Sequence, residues 1–204
     1  TGPGAMGIGK PLMSILHPNP KLPIWLGTGT EANVKMTAEI ADGWLPLGLV
    51  PGNWKLYQGW VEAGFARAGN GKSWKDFEIQ ASSTVILTDD VRGALARIKP
   101  RVALYVGGMG HRNINFHNQM MVRRGYADAA ARIQELYLAG RKAEAADAVP
   151  DEFVDDGALV GPVARIRERF KEWTQIPVTG LTINGDAPGT LELMAEIAGL
   201  RAPA

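Results

Sequence analysis

Residues 22–44, LPIWLGTGTEANVKMTAEIADGW, put a short apolar run, a glycine turn and a helix start in immediate succession. Leu22, Ile24, Trp25 and Leu26, bounded by Pro23 and Gly27, suit a parallel strand covered on both faces. Gly27 and Gly29 supply backbone without a Cβ, which lets the chain turn sharply and a ligand come close. Thr28 and Thr30 add hydroxyl groups. A helix starting near Glu31 would aim its unpaired N–H groups and its positive dipole end at the same spot. Such a corner suits an oxyanion, although many strand-to-helix turns contain glycine and bind nothing.

Outward from this stretch, strands and helices alternate. Residues 31–41 read as a helix with Val34, Ala38 and Ile40 inward, and residues 43–49 as a second strand. Pro51, Gly52 and Asn53 turn into a helix over 54–68, which Gly69-Asn70-Gly71 ends. Residues 77–88, FEIQASSTVILT, form a third strand rich in β-branched residues, and Asp89 and Asp90 cap a helix to about Tyr105, bent at Pro100. A helix over 163–173 follows Gly161-Pro162, a fourth strand spans 178–184, and an amphipathic helix closes the chain over 188–200. Residues 1–21 are dense in Gly and Pro and read as a loop. Residues 107–149 break the alternation with a glycine and amide loop, GGMGHRNINFHNQM, and an Ala-rich helical stretch broken at Gly140, and so read as an insertion.

This order predicts an α/β fold of parallel strands joined by crossovers. Four strand–helix units are visible where a complete eight-stranded barrel needs about 250 residues and eight units. The chain thus reads as a single domain over 1–204, about half a barrel. Two unpaired edges and an apolar inner face are then expected to favour dimerisation or pairing with another half.

Composition narrows the chemistry. The 204 residues are 46% hydrophobic and 21% charged, ordinary for a globular protein with a proper core. A net charge of +1 gives no electrostatic case for nucleic acid or an anionic membrane, which leaves small molecules or subunits as partners. With no cysteine there is no disulfide, thiolate metal site or Cys nucleophile, and the cytoplasm is the default compartment. His111 and His117 lie six apart, which misses the helical i, i+4 spacing of a shared metal, so no metal is expected. No apolar run approaches a membrane span.

The segments PIWLGTGTEAN, AEIADGWLPL, GFARAG, ALYVGGMG, IQELYLAGRKAEAADAVP and LVGPVARIRERFKEW carry a family resemblance. Together the chain resembles, over residues 2–193, the C-terminal half of the luciferase-like monooxygenase superfamily. The branch it looks like is the actinobacterial one that uses the deazaflavin coenzyme F-420. The resemblance implies a (β/α)8 TIM barrel with a deazaflavin at the C-terminal ends of its strands. It further implies hydride transfer between reduced coenzyme and an organic substrate. By position, Gly27, Thr28, Gly29 and Thr30 match the loop that holds the coenzyme phosphate and ribityl chain. Family members more often carry a Gly-Pro pair where this chain has Thr30-Glu31. The usual acid/base residue belongs to strands without a counterpart here, so the catalytic residue is not assigned. Flavin mononucleotide (FMN) presents a similar phosphate and stays open as the coenzyme, as does a non-catalytic coenzyme-binding subunit.

Barrel enzymes place chemistry at the C-terminal strand ends. After the second strand, residues 47–52 (LGLVPG) offer Leu47, Gly48 and Val50 as an apolar substrate wall, or as ordinary loop packing. Residues 107–118 gather His111, Arg112, Asn113, His117 and Asn118 in a glycine-marked loop that would serve as a lid, with His111 and Arg112 meeting an anion. A solvated surface loop is the alternative. Asp186 reads as a cap of the last helix, Asp42 as structural and the six tryptophans as packing. A dinucleotide-binding fold is the rival, since Gly27, Gly29 and Ala32 satisfy GxGxxA. It lacks the acidic residue after the second strand, because Asp42 precedes that strand. Gly29→Val is expected to weaken coenzyme affinity with little loss of fold.

Overall fold

The computed structural model describes residues 15–185 and 187–200. In chain order the elements begin β1 (Trp25–Thr28), α1 (Glu31–Ile40), β2 (Gly43–Pro46), α2 (Trp54–Ala68), β3 (Glu78–Leu87) and α3 (Val91–Ala103). Four helices follow, α4 (Phe116–Arg123), α5 (Ala127–Leu138), α6 (Lys142–Asp147) and α7 (Asp151–Asp156). The chain closes with β4 (Ala158–Gly161), α8 (Val163–Thr174), β5 (Gly180–Asn184) and α9 (Thr190–Ile197). All strand pairings are parallel, in the order β1-β2-β3, with both β4 and β5 on β3.

The register shows how β3 serves three neighbours. Thr84 pairs with Ala158 of β4 and with Asn184 of β5, so these two strands lie on opposite edges. Ile79 pairs with Trp44 of β2, while its carbonyl accepts the Thr179 N–H from the β5 side at 3.0 Å. Hence β2 and β4 share one edge, β2 at the start of β3 and β4 at its end. The principal arc is β1-β2-β3-β5, the four strand–helix units expected, with β1 and β5 as its outer strands.

β4 has no counterpart in the sequence reading. ALVG is too short for a period to register, and it becomes a strand only because the final residues of β3 extend beyond β2 and leave an edge free. The strands are also shorter than expected. β1 begins at Trp25, because Ile24 is held from below by its N–H donating to Asp42 Oδ2 at 2.8 Å, a structural role for Asp42. Gly27 and Thr28 are inside β1, paired with Leu45 and Pro46, so the turn is only Gly29-Thr30. Asp90 does cap α3, accepting the Gly93 N–H at 2.9 Å. The expected cap Asp186 lies outside the described residues.

The outer face of the arc is the core. Ile79, Ala81 and Val85 of β3 are buried with Trp44, against Val34 and Ala38 of α1, Tyr57, Val61 and Phe65 of α2, Ile166 and Trp173 of α8 and Met194 of α9. Phe65 meets Trp74 and Phe77 edge-on with ring centroids 5.0 and 5.4 Å apart, so the aromatic residues of this layer do pack rather than stack on a ligand. Gly64 permits α2 to approach α1, since a β-carbon there would overlap the Lys35 carbonyl and Ala38. A second core, with Leu95, Val106, Met121, Ile133, Leu136 and Val160, lies under α3 to α7. The insertion therefore carries its own packed apolar centre.

The inner face differs from the apolar one expected. Glu78, Gln80, Ser82 and Thr84 lie on it, alternating with the buried core positions of β3, and Thr182 and Asn184 of β5 pair with Ser82 and Thr84. Gln80 Nε2 donates to Thr182 Oγ1 at 2.9 Å across that face. Apolar groups on it come from Trp25 of β1, Leu45 of β2 and, beneath the insertion, Ile86 of β3 with Ala158 and Val160 of β4, which join the second core. Polar side chains at alternate positions keep a hydrated concave surface where a continuous Val/Ile/Leu run would have made an oily one.

Candidate functional site

Two features meet at the C-terminal ends of the strands. The first is the β1–α1 corner. Gly27 faces inward, and a β-carbon on it would find no atom within 4 Å. Neither Gly27 nor Gly29 has positive φ, so neither is there for a left-handed turn. Gly29 instead accommodates Leu47, whose Cβ would stand 2.9 Å from an added β-carbon. Gly29→Val would therefore displace the β2 loop, and Gly27 is the position that probes the open space.

The side chains of this corner divide into two groups. Thr37 Oγ1 donates to the Asn33 carbonyl at 2.7 Å, so the 2.9 Å contact between the Thr28 and Thr37 hydroxyls is a donation from Thr28. Thr28 thus ties strand to helix, and its proton is not offered to a ligand. Thr30 stands at the N-cap of α1 without capping it through its side chain, which leaves the first N–H groups of the helix facing outward. Glu31 is drawn along the helix into an ion pair with Lys35. From the other side comes Arg123 of α4, lining a small recess with Gly29, Thr30, Leu47, Phe116 and Met120. Its guanidinium lies 3.4 Å from the Gly29 carbonyl and forms no ion pair with a described carboxylate. Burial raises the pKa of Tyr57 behind this recess, and Arg123 and Arg124 pull in the opposite direction.

The second feature is a cavity of about 360 Å³ that shares Leu47 and Met120 with the corner. Its walls are Ser82, Ser83 and Thr84 of β3, Asn184 of β5, Arg101, Val102 and Tyr105 along α3 and the turn after it, and His117 of α4. Ser83 Oγ donates outward to the Gly157 carbonyl at 2.9 Å, which leaves Ser82 and Thr84 as the hydroxyls on the inner face.

The expected site residues separate accordingly. Of the three residues offered as a substrate wall, Leu47 lines the cavity. Gly48 has φ 79° and lies under Met120, whose sulfur a β-carbon would overlap. Val50 is buried over Gly157. His111 and Arg112 are exposed and belong to neither feature. His111 Nδ1 accepts the Asn113 N–H at 3.3 Å, and the Arg112 carbonyl accepts from Gln134 at 3.1 Å.

Their neighbours in the same segment carry the polar functions. Residues 104–108 form a π-helical turn in which Gly107 and Gly108 press on Tyr137, so these glycines serve close packing. Asn115 Nδ2 donates to the carbonyls of Tyr105 and Val106 at 3.1 and 2.9 Å, while its Oδ1 accepts the His117 and Asn118 N–H groups. Asn118 Nδ2 reaches the Ala130 carbonyl at 2.9 Å. Two amides thus join the π turn to α4 and α5 and fix His117 at the cavity.

A model of the family described as luciferase-like monooxygenase matches residues 9–180. The chain belongs to that family. A Mycobacterium tuberculosis protein with the provisional name coenzyme F-420-dependent oxidoreductase is 41% identical over 201 residues, covering 98% of this chain and 57% of the relative. This family member thus spans little more than half the length of that relative.

Two solved structures show the fold. A coenzyme F-420-dependent tetrahydromethanopterin reductase from Methanopyrus kandleri superposes with TM-score 0.65 at 20% identity, over 87% of this chain and 49% of that one. An F-420-dependent secondary alcohol dehydrogenase, solved with an F-420–acetone adduct, gives 0.63 at 12% identity, over 90% and 50%. The α/β arrangement of parallel strands is therefore that of the luciferase-like TIM-barrel enzymes. Among the described residues no helix is long and apolar enough to cross a membrane.

Ser82, Thr84, Arg101, Tyr105, Met120 and Arg123 were not singled out by sequence. For the two β3 residues a signal existed: strand ends of a barrel carry the site, and β3 is the longest strand, with polar residues at alternate positions. For residues of α3 and α4 no sequence signal existed, because only the packing of the insertion brings them to the strand ends.

Proposed function

We propose that this chain is the coenzyme-tail and substrate-binding part of a deazaflavin-dependent oxidoreductase that exchanges a hydride between coenzyme F-420 and an organic substrate. The observation that carries the reading is the β1–α1 corner: an open glycine, uncapped helix N–H groups and an arginine without a carboxylate partner among the described residues converge beside a cavity at the strand ends. These are the donors a phosphate needs. The relative and both solved neighbours bear names tied to this coenzyme, which supports the choice over FMN.

In this reading the backbone of Gly29 and Thr30, the first turn of α1 and Arg123 hold the phosphate, and Gly27 leaves room for the chain attached to it. Thr28 acts from behind by holding β1 to α1. The deazaflavin supplies the two-electron chemistry when bound. The protein orients the reactants and excludes water, with Leu47 and Met120 between the tail corner and the cavity. The free edges of the outer strands β1 and β5 then accept further strands, from the same polypeptide or another chain, to complete the barrel around the polar inner face.

Fluorescence titration with coenzyme F-420, FMN and NADPH tests this. Tightest binding of coenzyme F-420 is expected, weakened about tenfold or more, roughly 1.4 kcal/mol, by Gly27→Val. The thermal midpoint should hardly move, since valine suits a strand and has space there. Unchanged affinity would remove the corner from the site.

A further inference from the structure

His117 is 9% exposed and lines the cavity beside β3. Its backbone N–H is taken up by Asn115 Oδ1 at 3.0 Å, and its ring is held edge-on to Tyr105 with centroids 4.7 Å apart and tilted over Phe116 at 4.3 Å. Neither ring nitrogen has a hydrogen-bond partner among the described residues. Neither nitrogen is sealed from solvent, so both keep their hydrogen-bonding capacity available. The ring is thus held firmly by apolar contacts while its polar atoms are left to whatever fills the cavity.

The cavity indicates what that is. Besides His117 its polar groups are hydroxyls, one amide, the Tyr105 phenol and a single cation, Arg101, on an exposed part of α3; the remaining walls include Leu47, Ile98, Val102, Val106, Met120 and Phe153. Burial holds the His117 pKa below the ordinary histidine value, which keeps the imidazole neutral near neutral pH. A neutral imidazole offers one donor and one acceptor nitrogen. It can accept from an alcohol or donate to a carbonyl, and it gives no charge complement to an anion.

We propose that the cavity between β3, α3 and α4 is a subsite for a neutral, largely apolar molecule bearing a hydroxyl or carbonyl oxygen, and that His117 hydrogen-bonds that oxygen. This assignment of a substrate class rests on the oxidoreductase reading, yet the subsite is testable without coenzyme. His117 is a positioning residue here, and Ser82, Thr84 and Asn184 are the nearby polar groups of the same wall.

The probes are cyclohexanol, cyclohexanone and methylcyclohexane, titrated into the full protein while the imidazole nitrogens are followed by ¹⁵N NMR. Cyclohexanol and cyclohexanone should move the His117 nitrogen resonances, and methylcyclohexane should not. His117→Phe should lower affinity for the two oxygenated probes about fivefold, the value of one ordinary hydrogen bond, and leave methylcyclohexane unchanged. His117→Gln, which keeps a donor and an acceptor, should recover part of the loss, and a melting curve for each variant confirms folding. Equal affinities for cyclohexanol and methylcyclohexane, or affinities indifferent to His117→Phe, would overturn the proposal. Coenzyme titrations on Gly27→Val report separately on the corner, so failure of one reading leaves the other standing.

Discussion

The two faces of β3 share one backbone and have opposite fates. On the outer face Ile79, Ala81 and Val85 are buried to within 2% exposure among helices, whereas Gln80, Ser82 and Thr84 on the inner face are polar and open. The outer residues stabilise the fold by apolar burial. Those on the inner face leave hydrogen-bonding groups open on the concave surface, at little stability gain. Alternation within one strand therefore separates a folding face from a hydrogen-bonding face, with the helices α3 and α4 folded over the upper end to make a cavity from an otherwise open face.

The contrast can be broken most forcefully from the outside. Ile79→Ala is expected to cost about 2–5 kcal/mol in urea unfolding, because the side chain is fully buried between α1, α2 and α8 and its removal leaves a cavity. A loss below 0.5 kcal/mol would mean that the outer face is not the folding face.

A smaller effect sharpens the inner side. Burial depresses the His117 pKa, so the unfolded chain binds a proton that the folded protein resists. The stability from this group is complete above its unfolded pKa of about 6.5 and is lost as pH falls through the lower folded pKa. His117→Phe should remove that part of the pH dependence and be neutral to slightly stabilising at pH 5.5, as measured by thermal midpoint. An unchanged slope between pH 7 and 5 would show that His117 is not held neutral by burial.

The smallest effect is expected at Ser82→Ala. An exposed inner-face hydroxyl with no protein hydrogen bond among those described should contribute less than about 0.5 kcal/mol to stability. A greater loss would assign Ser82 to the fold rather than to the cavity.

The sequence was legible where local rules suffice. Apolar runs, glycine turns and caps located the four strand–helix units and the Asp90 cap, and the quoted motifs pointed to the luciferase-like family. The β1–α1 corner was visible because strand, turn and helix are contiguous in the chain. Its inner workings are less so: by residue type Thr28 reads as a ligand donor, whereas its hydroxyl proton goes to Thr37, nine residues on. His111 and Arg112 stood out by residue type alone. The residues that do reach the two features are His117, at the cavity, and Arg123, at the recess by Gly29, both on α4, whose start the Asn115 and Asn118 amides fix against the π turn and α5.

The sequence by itself determined the periodicities, and with them the parallel α/β arrangement and which residues of each strand share a face. Only the tertiary structure decided that β4 exists, that Gly29 serves Leu47 while Gly27 faces open space, and that residues from distant helices enclose a cavity at the strand ends. The physical reason is one of range: periodicity and turn chemistry act between near neighbours in the chain. Edge pairing, close approach and cavity walls arise between segments that only packing brings together.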